Sequence, residues 1–304
     1  MRHEPVLLKE VLDALDLKPG KRIIDCTLGD AGHSEQILEK TAPTGILLGI
    51  DMDPEAILRA KQFLYRFDWR VRCVRDNFER LSAIVEEEKF HPVDGILMDF
   101  GWSTPQFEDR FRGFSFMNPE EPLDMRYGAG LQKTETAADM LNTQDARELE
   151  RIFHTYGEES LSKDIANAVV VKREEKPFEQ VKDFVDVVLD VYRKKLRTEK
   201  EIPWIGGLHP ATKVFQALRI AVNDELGVIE RALPQAVEVL APGGRLAVIT
   251  FHSLEDRIVK HYFKKLEAQE IVLSITKKPI VCSAEEASAN PRARSAKLRV
   301  VQKK

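Results

Sequence analysis

Short β-branched and apolar runs, most of them ending in an acid or a cation, recur through the first hundred residues. They alternate with stretches in which apolar positions fall every three or four residues. The spacing predicts strands over 22–28, 46–51 and 71–75, a fourth over 93–98 ending at Asp99, and amphipathic helices over 34–40 and 54–66. Asp53-Pro54 reads as a helix start, with the acid as N-cap and the proline at the first helical position. Alternation of this kind builds a doubly wound parallel sheet. Past Asp99 the pattern changes. Residues 105–130 are rich in Pro, Gly, Phe and Arg without a clean period, and 134–200 read as several charged helices with no strand between them. The run EIPWIGGLHP, ending at Pro210, reads as a loop or hinge. A helix over about 211–240, ended by Ala241-Pro242-Gly243-Gly244, then restores the α/β pattern before a fifth strand over 245–251. Residues 270–276 and 297–302 offer two further strands. The expected organisation is an α/β domain of residues 1–107 plus 216–304 with an inserted all-helical domain, 108–215. Ligands of such sheets bind beyond the carboxyl ends of the strands, so an insertion leaving strand four is expected to rise over that cleft and grip a large substrate.

Composition changes the picture in three places. With 304 residues, 43% of them apolar, the chain can bury a core without covalent staples. Cys26, Cys73 and Cys282 are odd in number, far apart and without CxxC spacing, which suggests neither a disulfide framework nor a zinc site and suits a reducing cytoplasm. Glu4, Lys9, Glu10, Asp13 and Asp16 interrupt the N-terminal apolar residues, so no signal-peptide core is expected, and no run approaches the length of a membrane helix. The net charge of −4 hides an asymmetry: residues 257–304 carry twelve Lys and Arg against four Glu, or +8, leaving −12 on the rest. Two readings stand, a local basic surface for a polyanion and an ordinary solvated basic tail.

Candidate chemistry begins at IIDCTLGDAGHS, from Ile23 to Ser34. A β-branched run ends in an acid, two glycines bracket a turn, and polar residues open a helix. About twenty residues on, Ile46 to Ile50 ends in Asp51. This spacing suits a βαβ unit whose second strand presents a carboxylate to a ribose, and the same glycines would also serve a plain tight turn. A parallel sheet that closes with a hairpin is the habit of Rossmann-like class I S-adenosylmethionine methyltransferases, and a mostly parallel seven-stranded sheet of that class is the expected fold.

Longer motifs carry a closer resemblance. HEPVLL from His3, the loop from Thr27 to Ser34, DGILMDFG from Asp94, RGFSF from Arg112, PLDMR from Pro122, HPAT from His209, FQALRI from Phe215, FHSLEDR from Phe251 and NPRARS from Asn290 follow in order along the chain. Together they resemble the RsmH (MraW) family. The resemblance implies a methyltransferase that uses S-adenosylmethionine to modify the N4 amine of a cytidine in the decoding region of 16S ribosomal RNA. It implies cofactor binding at Ala31, Gly32, His33, Asp51, Phe78, Asp99 and Gln106. It also implies small-subunit ribosomal RNA as the partner, as an assembled or nearly assembled subunit, with no membrane, no DNA and no metal.

Asp99 is the expected catalytic residue. The lone pair of a cytosine N4 is delocalised into the ring, and a carboxylate at the mouth of strand four can accept an N4–H, aim the nitrogen and favour the positive charge that develops on it. Holding the methionine amino group of the cofactor is a competing role. Trp102, Arg112, Phe114, Arg126, His252, Arg292 and Arg294 are the candidate contacts to an unpaired, flipped-out base and its backbone. Each has an internal alternative. The stretch Arg110, Phe111, Arg112, Phe114 and Phe116 also suits a hydrophobic plug joining the two domains, and Ser253 with Asp256 forms a capping box that accounts for the polar residues after strand five. The chain departs from the family at Ala31, where a glycine is usual, at Trp102 and at Tyr127-Gly128, all near the expected pocket. Competing functions are an amino-methyltransferase acting on another nucleic acid, an assembly factor that binds RNA without turnover, and a nicotinamide dehydrogenase, for which the GxGxxG spacing is missing.

Overall fold

The computed structural model describes residues 5–100, 111–127, 135–198 and 207–304. The chain divides into two units, one of residues 1–103 with 226–304 and one of residues 104–225.

The first unit is a seven-stranded sheet between two helical layers. Its strands are β1 (Arg22–Asp25), β2 (Ile46–Asp51), β3 (Val71–Arg75), β4 (Val93–Asp99), β5 (Leu240–Thr250), β6 (Val272–Ser274) and β7 (Lys297–Lys303), in the order β3-β2-β1-β4-β5-β7-β6. The first five are parallel, and β7 runs antiparallel to both β5 and β6. The helices among the described residues are α1 (Leu8–Ala14), α2 (Gly32–Lys40), α3 (Pro54–Leu64), α4 (Leu81–Glu87), α5 (Ala137–Thr143), α6 (Ala146–Gly157), α7 (Ser162–Glu175), α8 (Val181–Leu196), α9 (Thr212–Asn223), α10 (Glu225–Val239), α11 (Ser253–Ala268) and α12 (Ala284–Ala289). Successive strand residues point to opposite faces, and here both faces are buried, which is why the strands read as continuous apolar runs rather than as alternation. Ile24, Leu48, Ile96 and Val248 pack with α4, α10 and α11. Ile23, Leu47, Leu97 and Ala247 pack with α1, α2 and α3.

Several boundaries differ from the sequence expectation, each for a local reason. β1 stops at Asp25 rather than at residue 28. Beyond it the Cys26 N–H bonds to the Leu97 carbonyl and the Leu28 N–H to that of Ile50, so the chain straddles its two neighbours. The helix expected over 54–66 ends at Leu64 and tightens into a 3₁₀ turn over Tyr65–Arg70. Asp53 caps α3 as expected, accepting the Glu55 N–H at 3.1 Å. The single helix expected over 211–240 is two, broken where Asp224 adopts left-handed backbone at φ 47°. β5 opens at Leu240 with a register shift against β4 through 241–244, and the strand expected over 270–276 shortens to three residues.

The second unit is helical. Phe184 is its aromatic hub: its ring centroid lies 5.8 Å from Phe153, 6.3 Å from Phe178 and 5.7 Å from Phe215. The buried Glu159 carboxylate is satisfied by the Leu161 N–H at 2.8 Å and the Tyr192 hydroxyl at 3.0 Å. α9 belongs to this unit, so the boundary expected between residues 215 and 216 falls inside a helix, and the chain changes units between 225 and 226 instead. Among the described residues no helix is long and apolar enough to cross a membrane.

α6 meets α9 through Gly157. A Cβ built there would stand 2.6 Å from the Lys213 carbonyl oxygen and 3.3 Å from the Ala217 Cβ. Backbone cannot yield as a side chain can, so Gly157→Ala is expected to destabilise the helical unit by about 1–3 kcal/mol, the usual range for overpacking, in chemical denaturation followed by circular dichroism.

Candidate active site

Three strand-end carboxylates, Asp25, Asp51 and Asp99, stand at the carboxyl edge of β1, β2 and β4. Asp25 is the innermost, 2% exposed, and it organises the turn that follows it. One oxygen accepts the Ser34 hydroxyl at 2.6 Å, from the first turn of α2, and the other accepts the Thr27 N–H at 3.1 Å. The Thr27 hydroxyl lies 3.5 Å from that same oxygen and in turn accepts the Asp99 N–H at 2.8 Å. Burial pushes the Asp25 carboxyl up, against the downward pull of Ser34 and Thr27. Sequence reasoning noted Asp25 as the end of a strand and assigned no role to it, to Thr27 or to Ser34. The signal available was an acid followed at short range by two hydroxyl residues.

The turn between β1 and α2 is held from several sides. Gly29, at φ 49°, donates its N–H to one oxygen of Asp51 at 2.9 Å, and the Asp53 N–H donates to the other at 2.9 Å. Arg59 of α3 reaches back to Asp30 with Nε at 2.7 Å. Ala31 is fully buried at φ 59°, ψ 29°, a left-handed conformation that costs a residue bearing a Cβ about 1–2 kcal/mol. Gly32 begins α2 against Pro5, to which a Cβ would come within 3.2 Å. Asp51 is the electrostatic centre of the turn. Burial raises its pKa to about 6, although both backbone N–H donors pull it down.

His33 and Asp99 face one another. The His33 Nε2 donates to the Val6 carbonyl at 2.9 Å, which leaves Nδ1 directed at Asp99, 3.7 Å from Oδ2. His33 is buried and Asp99 is partly exposed. Phe78 opens a short 3₁₀ turn after β3, and its ring lies against Phe100 at a centroid distance of 6.0 Å and an angle of 23°. Thus Ala31, Gly32, His33, Asp51, Phe78 and Asp99 all lie in the α/β unit, on the turns that leave β1 to β4. Gln106 and Trp102 lie outside the described residues.

The other expected positions serve the fold around them. Within the helical unit Arg112 donates to the Arg126 and Tyr127 carbonyls at 3.0 and 2.8 Å, and Arg126 forms a bidentate pair with Asp124 at 2.7 Å. Phe114 is 9% exposed and stacks on Tyr127 at 5.6 Å, while the Tyr127 hydroxyl bonds to Glu225, itself paired with Arg219 at 2.9 Å. This packing lies inside the helical unit and includes Tyr127. The capping box after β5 is displaced by one residue. His252, not Ser253, is the N-cap of α11, and the Glu255 carboxylate accepts the Phe251 and His252 N–H groups at 2.7 and 3.2 Å. Asp256, the partner expected for Ser253, pairs instead with Arg299 at 2.7 Å. Arg292 and Arg294 sit on the 3₁₀ turn Pro291–Ser295, where Arg294 is exposed with its Nε on the Ala287 carbonyl at 3.0 Å.

Comparison with known proteins places this geometry in context. The sequence pattern described as the MraW methylase family matches residues 1–304. A protein named "Ribosomal RNA small subunit methyltransferase H" from Dictyoglomus thermophilum is 46% identical over 298 residues, covering 98% of this chain and 95% of its own length. Proteins of the same name from Heliobacterium mobile and Clostridioides difficile are 46% and 42% identical, each covering 99% of this chain and 98% of their own length.

The raised pKa of Asp51 sets a pH dependence. Its two oxygens are both free of a proton, and accept with the help of the charge, only when it is ionised, a state that is nearly complete above pH 7 and is lost as pH falls through about 6. Affinity for S-adenosylmethionine, measured by calorimetry, should therefore weaken about tenfold between pH 7.5 and pH 5. Asp51→Asn should bind weakly throughout, without that inflection.

Proposed function

This chain belongs to the MraW methylase family, and from that premise we propose that it methylates the N4 amine of a cytidine in the decoding region of 16S ribosomal RNA. S-adenosylmethionine is the methyl donor. The observation that carries the choice of substrate is identity of 42–46% along nearly the whole chain with proteins named for small-subunit ribosomal RNA methylation.

The residues fit the cofactor. Each oxygen of Asp51 spends one acceptor position on a backbone N–H, so one position per oxygen remains, matching the two hydroxyls of a ribose. A Cβ on Gly29 would point into open space, its nearest neighbour being the Thr27 carbonyl at 3.9 Å. When bound, the cofactor supplies an electrophilic methyl group. Ala31, Gly32, His33, Asp51 and Phe78 would hold it.

Asp99 performs the positioning chemistry. Its backbone is pinned by Thr27 and its carboxylate is partly exposed, so it accepts an N4–H of the cytosine and turns the nitrogen lone pair out of conjugation with the ring. As the nitrogen gains a methyl it must shed one proton, and Asp99 is the first acceptor. His33 is the second. Its Nε2–H bond to Val6 fixes the tautomer that turns the Nδ1 lone pair toward Asp99, so a proton leaving the amine is shared between carboxylate and imidazole. Arg292 and Arg294, on the 3₁₀ turn Pro291–Ser295 of the basic C-terminal stretch, would meet RNA phosphate in a folded small subunit, with the cytoplasm as the compartment.

The test is methyl transfer from labelled S-adenosylmethionine to small subunits isolated from cells lacking this protein, with nucleoside mass spectrometry of the product. N4-methylcytidine at one position is the expected result, and bound cofactor without transfer would sink the assignment in favour of an assembly factor. Asp99→Asn should lower the transfer rate at least about 100-fold, the lower bound for losing a proton-accepting group. Its cofactor affinity should stay within a few-fold of wild type. A parallel loss of affinity would move Asp99 from the base to the amino group of the cofactor.

A further inference from the structure

The basic C-terminal stretch has a feature that its composition does not reveal. α11 packs beside the antiparallel pair β6 and β7, and between them runs a groove of about 360 Å³. Its floor is Phe263, 5% exposed. Lys260 and Lys264 line the helix side, one turn apart, and Lys277 lines the other side from the segment that follows β6.

Acids three or four residues away on a helix can pair with lysines. Here the two acids so placed form no ion pair with them. Asp256, four residues before Lys260, is held by Arg299 through two bonds of 2.7 and 3.1 Å, with Lys297 a further 3.6 Å away. Glu267, three residues after Lys264, accepts the Ser274 N–H at 3.3 Å. Lys260, Lys264 and Lys277 make no ion pair or hydrogen bond among the described residues. The groove therefore holds three ammonium groups outside any ion pair, against the single carboxylate of Glu267 on its lining. Beside them the Thr276 hydroxyl accepts the Val300 N–H at 3.0 Å and retains its own hydrogen to donate.

We propose that this groove binds successive phosphate groups of an RNA strand, giving the enzyme a second hold on its substrate at the hairpin end of the sheet. The inference rests on the ribosomal RNA reading above and deepens it. Point charges on flexible stems, with a hydroxyl donor and an apolar floor, suit sequence-independent contact with a backbone rather than base readout. Such contacts release counterions, so each one adds to the salt dependence of binding by about 0.7 to 0.9 in the slope of log K against log salt.

The experiment compares wild type with a Lys260→Ala, Lys264→Ala, Lys277→Ala triple variant. Binding of a fluorescent small-subunit ribosomal RNA fragment is followed by anisotropy between about 50 and 200 mM KCl. The expected outcome is a slope shallower by about 2 to 3, with S-adenosylmethionine affinity unchanged. Unchanged slope and affinity for RNA would overturn the proposal. The corresponding triple lysine-to-arginine variant keeps the charge and should keep the wild-type slope; if it loses the slope as well, the lysines act through packing and the proposal falls. Absence of salt-dependent RNA binding in the wild type would instead bring down the ribosomal RNA reading, and this inference with it.

Discussion

The buried carboxylate of Asp25 is the constraint on which the site depends. A carboxyl group held at 2% exposure is tolerated only because it is bonded to the hydroxyl and N–H groups that converge on it, and those groups come from the segments that must be fixed relative to one another. Ser34 ties the start of α2 to the end of β1, and Thr27 carries the tie onward to the backbone of Asp99 on β4. A parallel sheet supplies the carboxylates side by side. The Asp25 network sets their spacing and orientation. Without it the turn after β1 would lose its bonds to the start of α2 and to the end of β4.

The helical unit spends its polar residues differently. Arg112, Arg126 and Arg219 each answer a local carbonyl or carboxylate, and Phe114 and Tyr127 close the apolar gap between them. A cation in sequence carries a charge but not the identity of its partner. The interleaving of Arg and Phe that suggests RNA at first sight is equally the composition of a well-satisfied internal joint. The contrast with Lys260, Lys264 and Lys277 is instructive, since those lysines stand out only once the nearby acids are seen to be engaged elsewhere.

Much of the α/β unit was legible because burial on both faces leaves a strong signal. The limits of β2 follow from an unbroken apolar run ended by Asp51, and those of β3 from alternating Val71, Cys73 and cations. Other features were hidden by rivals of equal local strength. Cys26, Thr27 and Leu28 still look like strand, and only their alternating bonds to two neighbours show that β1 has ended. Asp224 breaks a helix without glycine or proline, by adopting a conformation that aspartate tolerates better than most residues. Ser253 is a better cap than histidine by preference, yet the Glu255 carboxylate, by accepting both N–H groups ahead of it, makes His252 the cap. In the site, Asp51 and Asp99 were legible as strand-end acids. Asp25 was passed over because its work is done with partners that no spacing rule identifies.

Ala31 has one more consequence. Its left-handed backbone is imposed from outside, by Arg59 on the neighbouring Asp30, by Pro5 against Gly32 and by the Asp51 bond to Gly29. The isolated segment would not choose that shape, so the turn takes form only after the sheet and its flanking helices have closed around it. Cofactor recognition is thereby coupled to completion of the fold. The folded chain alone presents the finished turn, and by mass action the ligand draws the population toward the closed native state, stabilising the protein in proportion to the logarithm of its own concentration.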